Sequence, residues 1–245
     1  MPQLTNIVTI EAALEVLTGL RIGAGDSEMH IGGVDNTVIK HPLTGEPYIP
    51  GSSLKGKMRS LLEWRSGAVQ EKPLGAKDYT NPTASEAQKD AIKPILQLFG
   101  IGGGDAKDDK TLVKELGPSR LAFWDCALEE GWKNRVREDN QLLTEVKSEN
   151  VINRISGVAD HPRHTERVPA GAKFVFKLSL KQLDGDGDAL LQTVLEGLKL
   201  IELDSLGGSG SRGYGKVRFA GLKINGVDKS ADFETVKAFP DLKEN

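Results

Sequence analysis

From Phe174 to Lys181 the chain alternates: Phe174, Phe176, Leu178 and Leu180 on one parity, Val175, Lys177, Ser179 and Lys181 on the other. Successive side chains of a strand point to opposite faces, so this is the strongest strand signal in the sequence. A second alternation runs through Ile10, Ala12, Leu14 and Val16, set against Glu11, Ala13, Glu15 and Leu17, and predicts a strand with one face buried. Helical spacing appears twice. Leu54, Met58, Leu61 and Leu62 recur on one side of a segment that Ser52 or Ser53 can cap. Leu190, Leu191, Val194, Leu195 and Leu198 do the same over roughly 187–200. A strand through Leu121 and Phe123, and another at Val217-Arg218-Phe219, complete an α+β order. That order accommodates a modified ferredoxin-like or RRM-like sheet, without fixing the topology.

Two stretches do not fit the sheet and read as insertions. Residues 66–118 surround a helical stretch near Glu86 to Phe99 with prolines and the run Gly102-Gly103-Gly104-Asp105. Residues 129–169 are mostly polar with no strong periodicity, which calls for disorder or for a projecting element ordered by a partner. A chain of 245 residues suits one sizeable domain carrying such insertions.

The net charge of −3 argues against indiscriminate binding of nucleic acid by the whole surface, yet the charge is segregated. Gly51 to Arg65 holds Lys55, Lys57, Arg59 and Arg65 against Glu63 alone. No stretch of 18 apolar residues exists, and no basic region leads into an apolar run at the N-terminus, so neither a membrane span nor a secretory signal is expected. Cys126 is the single cysteine; it cannot form an internal disulfide and fits a reducing cytoplasm.

Several residues invite chemistry. Asp35 follows Gly32-Gly33-Val34 in a loop, where it is either a turn former or a carboxylate presented to a ligand. Gly56 lowers helix stability by about 1 kcal/mol relative to alanine unless something packs too closely for a side chain. The run from Gly207 to Lys216 has five glycines in ten residues, and exposed N–H groups of such a loop can cradle phosphates. It is no P-loop, since Val217 stands where the serine or threonine should follow the lysine. Within it Arg212 and Lys216 suit contact with phosphates, with Tyr214 either stacking or packing. No HExxH, CxxC or paired-carboxylate pattern is present, and His30, His41, His161 and His164 stand in polar stretches without a metal-site pattern.

Three segments taken together carry a resemblance: IGGVDNTVIKHPLTGEPYIPGSSLKGKMRSLLE at 31–63, EVKSENVINRISGVADHPRHTERVPAGAKF at 145–174, and LGGSGSRGYGKVRF at 206–219. In this order and spacing the chain resembles the backbone subunit of type III-A CRISPR effector complexes, within the RAMP superfamily. The resemblance spans nearly the whole chain. It implies a modified RRM-like palm, copied along a CRISPR guide RNA in a helical filament beside other subunits of the complex. It also implies a thumb, matched here by 130–169, that interrupts the guide–target duplex every sixth nucleotide. The resemblance further implies metal-dependent cleavage of complementary target RNA, with Asp35 as catalytic residue and metal ligand and Mg2+ or Mn2+ as the ion. Cleavage by the RNA's own 2′-hydroxyl would leave a 2′,3′-cyclic phosphate and a 5′-hydroxyl. The RNA-binding set expected on this basis is Ser52, Ser53, Lys55, Lys57 and Arg59 for the guide backbone, Asn150, Asn153, Arg154, Arg163 and Arg167 in the thumb, and Arg212 and Lys216 in the glycine-rich loop. Ile152, Ile155 and Val158 are candidate wedges against a flipped base. The alternative is an inert RNA-binding scaffold of the same architecture.

Overall fold

A computed structural model describes residues 3–24, 36–101, 112 and 115–239. Asp35 lies outside the described residues, as do Asp26, Glu28 and His30. The two alternating segments become neighbouring strands. β1 (Leu4–Val16) pairs antiparallel with β5 (Lys173–Leu183), placing Leu14 opposite Phe174 and Ile10 opposite Leu178. β2 (Leu121–Phe123) pairs with the other edge of β5, and β6 (Val217–Ile224) with the other edge of β1. A two-residue β7 (Val227–Asp228) ends the sheet, whose order is β2-β5-β1-β6-β7.

Leaving out the two insertions, the chain runs β1, helix, β2, β5, helix, β6. That succession, with β1 and β5 central and antiparallel neighbours, is the split βαββαβ arrangement of the ferredoxin-like and RRM-like folds. Both helices lie on the face that holds Ile10, Leu14, Phe174, Phe176, Leu178 and Leu180, all fully buried. α1 (Gly51–Ser66) contributes Leu54, Met58 and Leu62. Burial of a side chain of this size is worth about 1.5–3 kcal/mol, so this one stripe fixes the helix to the sheet. The second long helix contributes Val194, Leu198 and Ile201 to the same core. It passes so near α1 that a Cβ on Gly197 would stand 2.8 Å from Met58 Cγ.

The predicted start of α1 is corrected in one respect. Neither Ser52 nor Ser53 caps it; Pro50 occupies the cap position, and the Gly51 N–H donates to Asp125 Oδ1 at 2.7 Å. The cap is supplied from the segment after β2, a partner that local sequence cannot reveal. Gly56, for its part, has no atom within 4 Å of where a side chain would begin, so no close neighbour of the fold explains it.

Within 66–118, α2 (Ala76–Tyr79) and α3 (Glu86–Phe99) are described. α3 is capped by Ser85, whose side chain accepts from Gln88 N while Gln88 returns the bond to Ser85 N. It faces two ways: Ile95, Leu98 and Phe99 join the main core, whereas Ile92 and Leu96 join a small cluster with Leu74, Leu112 and Leu116.

The 129–169 stretch, whose polarity left disorder or a projecting element open, holds regular elements. It begins with a helix missed by the sequence reading, α4 (Glu130–Glu138), whose Trp132 and Val136 enter the main core. A hairpin follows, β3 (Glu145–Ile152) and β4 (Ala159–Arg167), forming a separate two-stranded sheet. The later elements are α5 (Ala189–Leu203), already met as the second long helix, and the short α6 (Ser230–Glu234).

Candidate nucleic-acid interface

The hairpin does not stand free of the glycine-rich loop. Tyr214, 2% exposed, fills the space between them. Its ring lies under Lys147 Nζ at 4.5 Å and Arg167 Cζ at 5.0 Å, and its hydroxyl donates to Glu149 Oε1 at 3.2 Å. Glu149 also takes Lys147 Nζ on Oε1 at 3.1 Å and Arg212 on Oε2 at 3.4 Å. The Lys147 bond leads in holding the Glu149 carboxyl below its ordinary value, and burial leads in raising the Tyr214 phenol. Of the two readings open for Tyr214, packing is what the geometry gives. A stripe of charge thus forms the base of the hairpin, with cations stacked on an aromatic ring.

The glycines of the loop serve close packing. Gly207 has φ of +78° and Gly215 of +75°, and a Cβ would meet the Arg21 carbonyl oxygen at 2.2 Å and the Leu206 carbonyl oxygen at 2.0 Å respectively. The N–H groups of Gly208, Arg212, Gly213 and Gly215 donate to Arg21, Ser209, Gly210 and Gly19 carbonyls, so these four are engaged within the fold. Lys216 Nζ donates to the Leu203 carbonyl at 2.9 Å and so covers the C-terminal end of α5. Arg212 remains at the surface.

A cleft of about 500 Å³ opens between the hairpin and Arg212 of the glycine-rich loop. It brings together Asn150, Arg154, Arg163 and Arg212 of the expected set, and adds Lys147 and Glu149. Asn153 has a turn role: its side-chain oxygen accepts from Ile155 N at 2.9 Å and Ser156 N at 3.1 Å, closing the hairpin tip. Arg167 donates to Glu145 at 2.7 Å as well as lying on Tyr214. At the tip Ile155 is fully exposed and Val158 62% exposed, an unusual display of apolar surface.

The α1 set lies elsewhere and is divided. Lys55 has no ion pair among the described residues, and Ser52 is exposed, with Ser53 partly so. Lys57 pairs with Asp204 at 2.6 Å on the surface. Arg59 turns inward: Nε meets Glu63 at 2.8 Å, a terminal nitrogen donates to the Leu74 carbonyl at 2.5 Å, and the guanidinium stands over Phe99. That arginine ties α1 to the 66–118 segment, and two of its three nitrogens have partners within the fold.

Next to Asp35 in the chain, Asn36 is held on two sides. Arg21 donates to its Oδ1 at 3.0 Å, and its carbonyl accepts from Glu166 N at 2.9 Å. Glu166 then gathers the following residues: its carboxylate accepts from Val38 N at 3.0 Å, Lys40 Nζ at 2.6 Å and Thr144 Oγ1 at 2.7 Å. The segment leading out of the Asp35 loop is therefore fastened to the base of β4. His41 is occupied in a turn, accepting from Leu43 N, and among the described residues no group of three or more His, Cys, Asp or Glu side chains is placed to hold a metal.

Sequence reasoning missed Arg21, Lys40, Lys147, Glu149 and Glu166. A usable signal existed for two of them: Glu145, Lys147 and Glu149 alternate with Val146, Ser148 and Asn150, a period of two written in charge.

The RAMP superfamily model matches residues 13–218. The CRISPR system Cms endoribonuclease Csm3 of Streptococcus thermophilus is 39% identical over 235 residues, covering 94% of each chain. Among solved structures, Methanopyrus kandleri Csm3 is similar with a TM-score of 0.58 and 26% identity over 88% of this chain and 75% of that one. A Csm3–Csm4 subcomplex of a type III-A CRISPR-Cas interference complex matches with a TM-score of 0.51 and 28% identity, covering 91% of this chain and 80% of that one. With the βαββαβ sheet and the hairpin bound to a glycine-rich loop, these matches place the chain in the Csm3 family of the RAMP superfamily.

Proposed function

We propose that this chain is the guide-RNA-binding backbone subunit of a type III-A CRISPR interference complex, and that the complex cleaves complementary target RNA at six-nucleotide intervals. The observation that carries the reading is 39% identity, along 94% of both chains, to a protein named an endoribonuclease. On this reading the hairpin within 130–169 is the thumb. Lys147, Arg154, Arg163 and Arg212 meet phosphates, and exposed Ile155 or Val158 meets a displaced base. Lys55, Ser52 and Ser53 offer a second backbone contact at the start of α1. The subunit repeats along the guide in a helical filament with other subunits, in the cytoplasm. Among the described residues no helix is long and apolar enough to cross a membrane.

Asp35 is the proposed catalytic carboxylate. In the step it assists, the 2′-oxygen attacks the adjacent phosphorus and loses its proton, and the P–O5′ bond breaks. The departing 5′-oxygen then takes up a proton. The products are a 2′,3′-cyclic phosphate and a 5′-hydroxyl. A divalent ion, Mg2+ or Mn2+, would stabilise the charge that develops on the phosphate. On this reading Asp35 would help to hold the ion, together with RNA oxygens and water.

The test is target-RNA cleavage by reconstituted guide-loaded complex, wild type beside Asp35→Ala, with Mg2+ or chelator and with binding measured in parallel. Cuts six nucleotides apart that require Asp35 and metal, with binding intact in the variant, are expected. Equal cutting by both complexes would remove Asp35 from its role. Binding without cutting in the wild type would leave the inert scaffold as the function.

A further inference from the structure

We propose that Glu149 is a built-in stand-in for an RNA phosphate, holding Lys147 and Arg212 of the hairpin cleft in place and lowering the cleft's affinity for RNA until a backbone phosphate displaces it. The inference rests on the RNA-binding reading above and adds to it a residue that sets how tightly RNA is held.

The cleft is lined by Lys147, Arg154, Arg163 and Arg212, and Glu149 is the one carboxylate among the described residues that line it. Neighbouring acids are turned to other partners: Glu145 to Arg167 and Glu166 to Lys40. Both oxygens of Glu149 are engaged, Oε1 by Lys147 and the Tyr214 hydroxyl, Oε2 by Arg212. Arg163 faces Glu149 across the hairpin in register. An anion that gathers cations from β3 and from the glycine-rich loop, with a neutral O–H donor beneath, has the partners a phosphodiester oxygen would seek. The Arg212 contact, at 3.4 Å with the arginine 58% exposed, is the loosest of the set and the easiest to surrender. The same carboxylate would repel a phosphate arriving while it stays in place. Exchange of partners is therefore the route by which the cleft fills.

The experiment compares the full-length chain with its Glu149→Gln variant for binding of a fluorescent 24-nucleotide oligouridine and of a guide–target duplex, across a salt series. Glutamine keeps the acceptor for Tyr214 and removes the charge. The expected result is binding about tenfold tighter, with a log–log salt slope steeper by about 0.7 for each cation released to RNA. Tightening for the single strand alone assigns the displacing phosphate to the guide strand, and tightening for the duplex alone assigns it to the paired target. Tyr214→Phe, which keeps every charge and loses only the hydroxyl, is expected to stay within about twofold of wild type. If Tyr214→Phe tightens binding as much as Glu149→Gln does, loosening of the hairpin is the cause and the inference is overturned. Unchanged or weaker binding by Glu149→Gln overturns it while leaving the RNA reading intact. Absence of RNA binding by wild type and variant alike overturns both.

Discussion

Removing the Glu166 carboxylate should unfasten the segment that follows Asp35, and the cost can be worked out bond by bond. The Val38 N–H is buried and has Glu166 as its acceptor, so Glu166→Ala orphans a backbone donor at about 1–3 kcal/mol. Lys40 is about one-third exposed and can rehydrate, so its lost ion pair adds less than about 1 kcal/mol. The Thr144 hydroxyl adds roughly 0.5–1 kcal/mol. The total is about 3 kcal/mol for alanine, read in urea titrations as a lowered midpoint with an unchanged slope. Glutamine retains an oxygen for Val38 and should lose only about 1 kcal/mol. The carboxyl has a pH signature as well. Burial pushes its pKa up, but Lys40, the Val38 N–H and Thr144 together hold it below the ordinary 4.5. A carboxyl depressed in the folded state contributes its full stability above its unfolded value and loses it as pH falls through the folded one. The gap between wild type and Glu166→Gln should therefore close below about pH 4.5. A Glu166→Ala protein within 1 kcal/mol of wild type, or a gap that persists in acid, would refute the reasoning.

Gly215→Ala should destabilise the chain by about 3 kcal/mol or more, because it forces a side chain into left-handed backbone and against the Leu206 carbonyl; thermal melting reads this. The Cys126 thiol is fully buried, and burial pushes its pKa up to about 12. It should stay unmodified by a thiol reagent at pH 8 in the native protein and react at once in denaturant, a contrast read by mass spectrometry.

The palm was legible because its signals are local. Alternation at 174–181 and 10–16, and helical spacing at 54–62 and 190–198, report side chains that share one core face, and each became an element of the sheet or its helices. The hairpin gave no such signal. Its strands bury little against an apolar layer, so their period is carried by Glu145, Lys147 and Glu149, and charge does not announce a strand as Phe and Leu do. α4 escaped for a related reason: only Trp132 and Val136 reach the core, too few to stand out among Lys133, Arg135 and Arg137. Of the expected RNA residues, composition could supply the candidates but not their partners. Whether a cation faces solvent or an internal acceptor depends on chain segments far away, as with Arg59 and Leu74 or Lys216 and Leu203. The cap of α1 by Asp125 has the same origin.

β1 occupies the middle of the sheet, with β5 on one side and β6 on the other. Its Ile10 lies opposite Leu178 in one neighbour and Ile224 in the other. A ribosome making this chain emits the central strand long before either of the two strands that flank it. Until they follow, the strand lacks both of its sheet neighbours, and pairings this distant in sequence make folding slow. At about 5–20 residues per second, the wait from Ile10 to Ile224 is on the order of ten seconds or more. During that interval an alternating apolar strand is open to chance partners, and shielding by a chaperone or the ribosome surface would raise the yield of folded subunits.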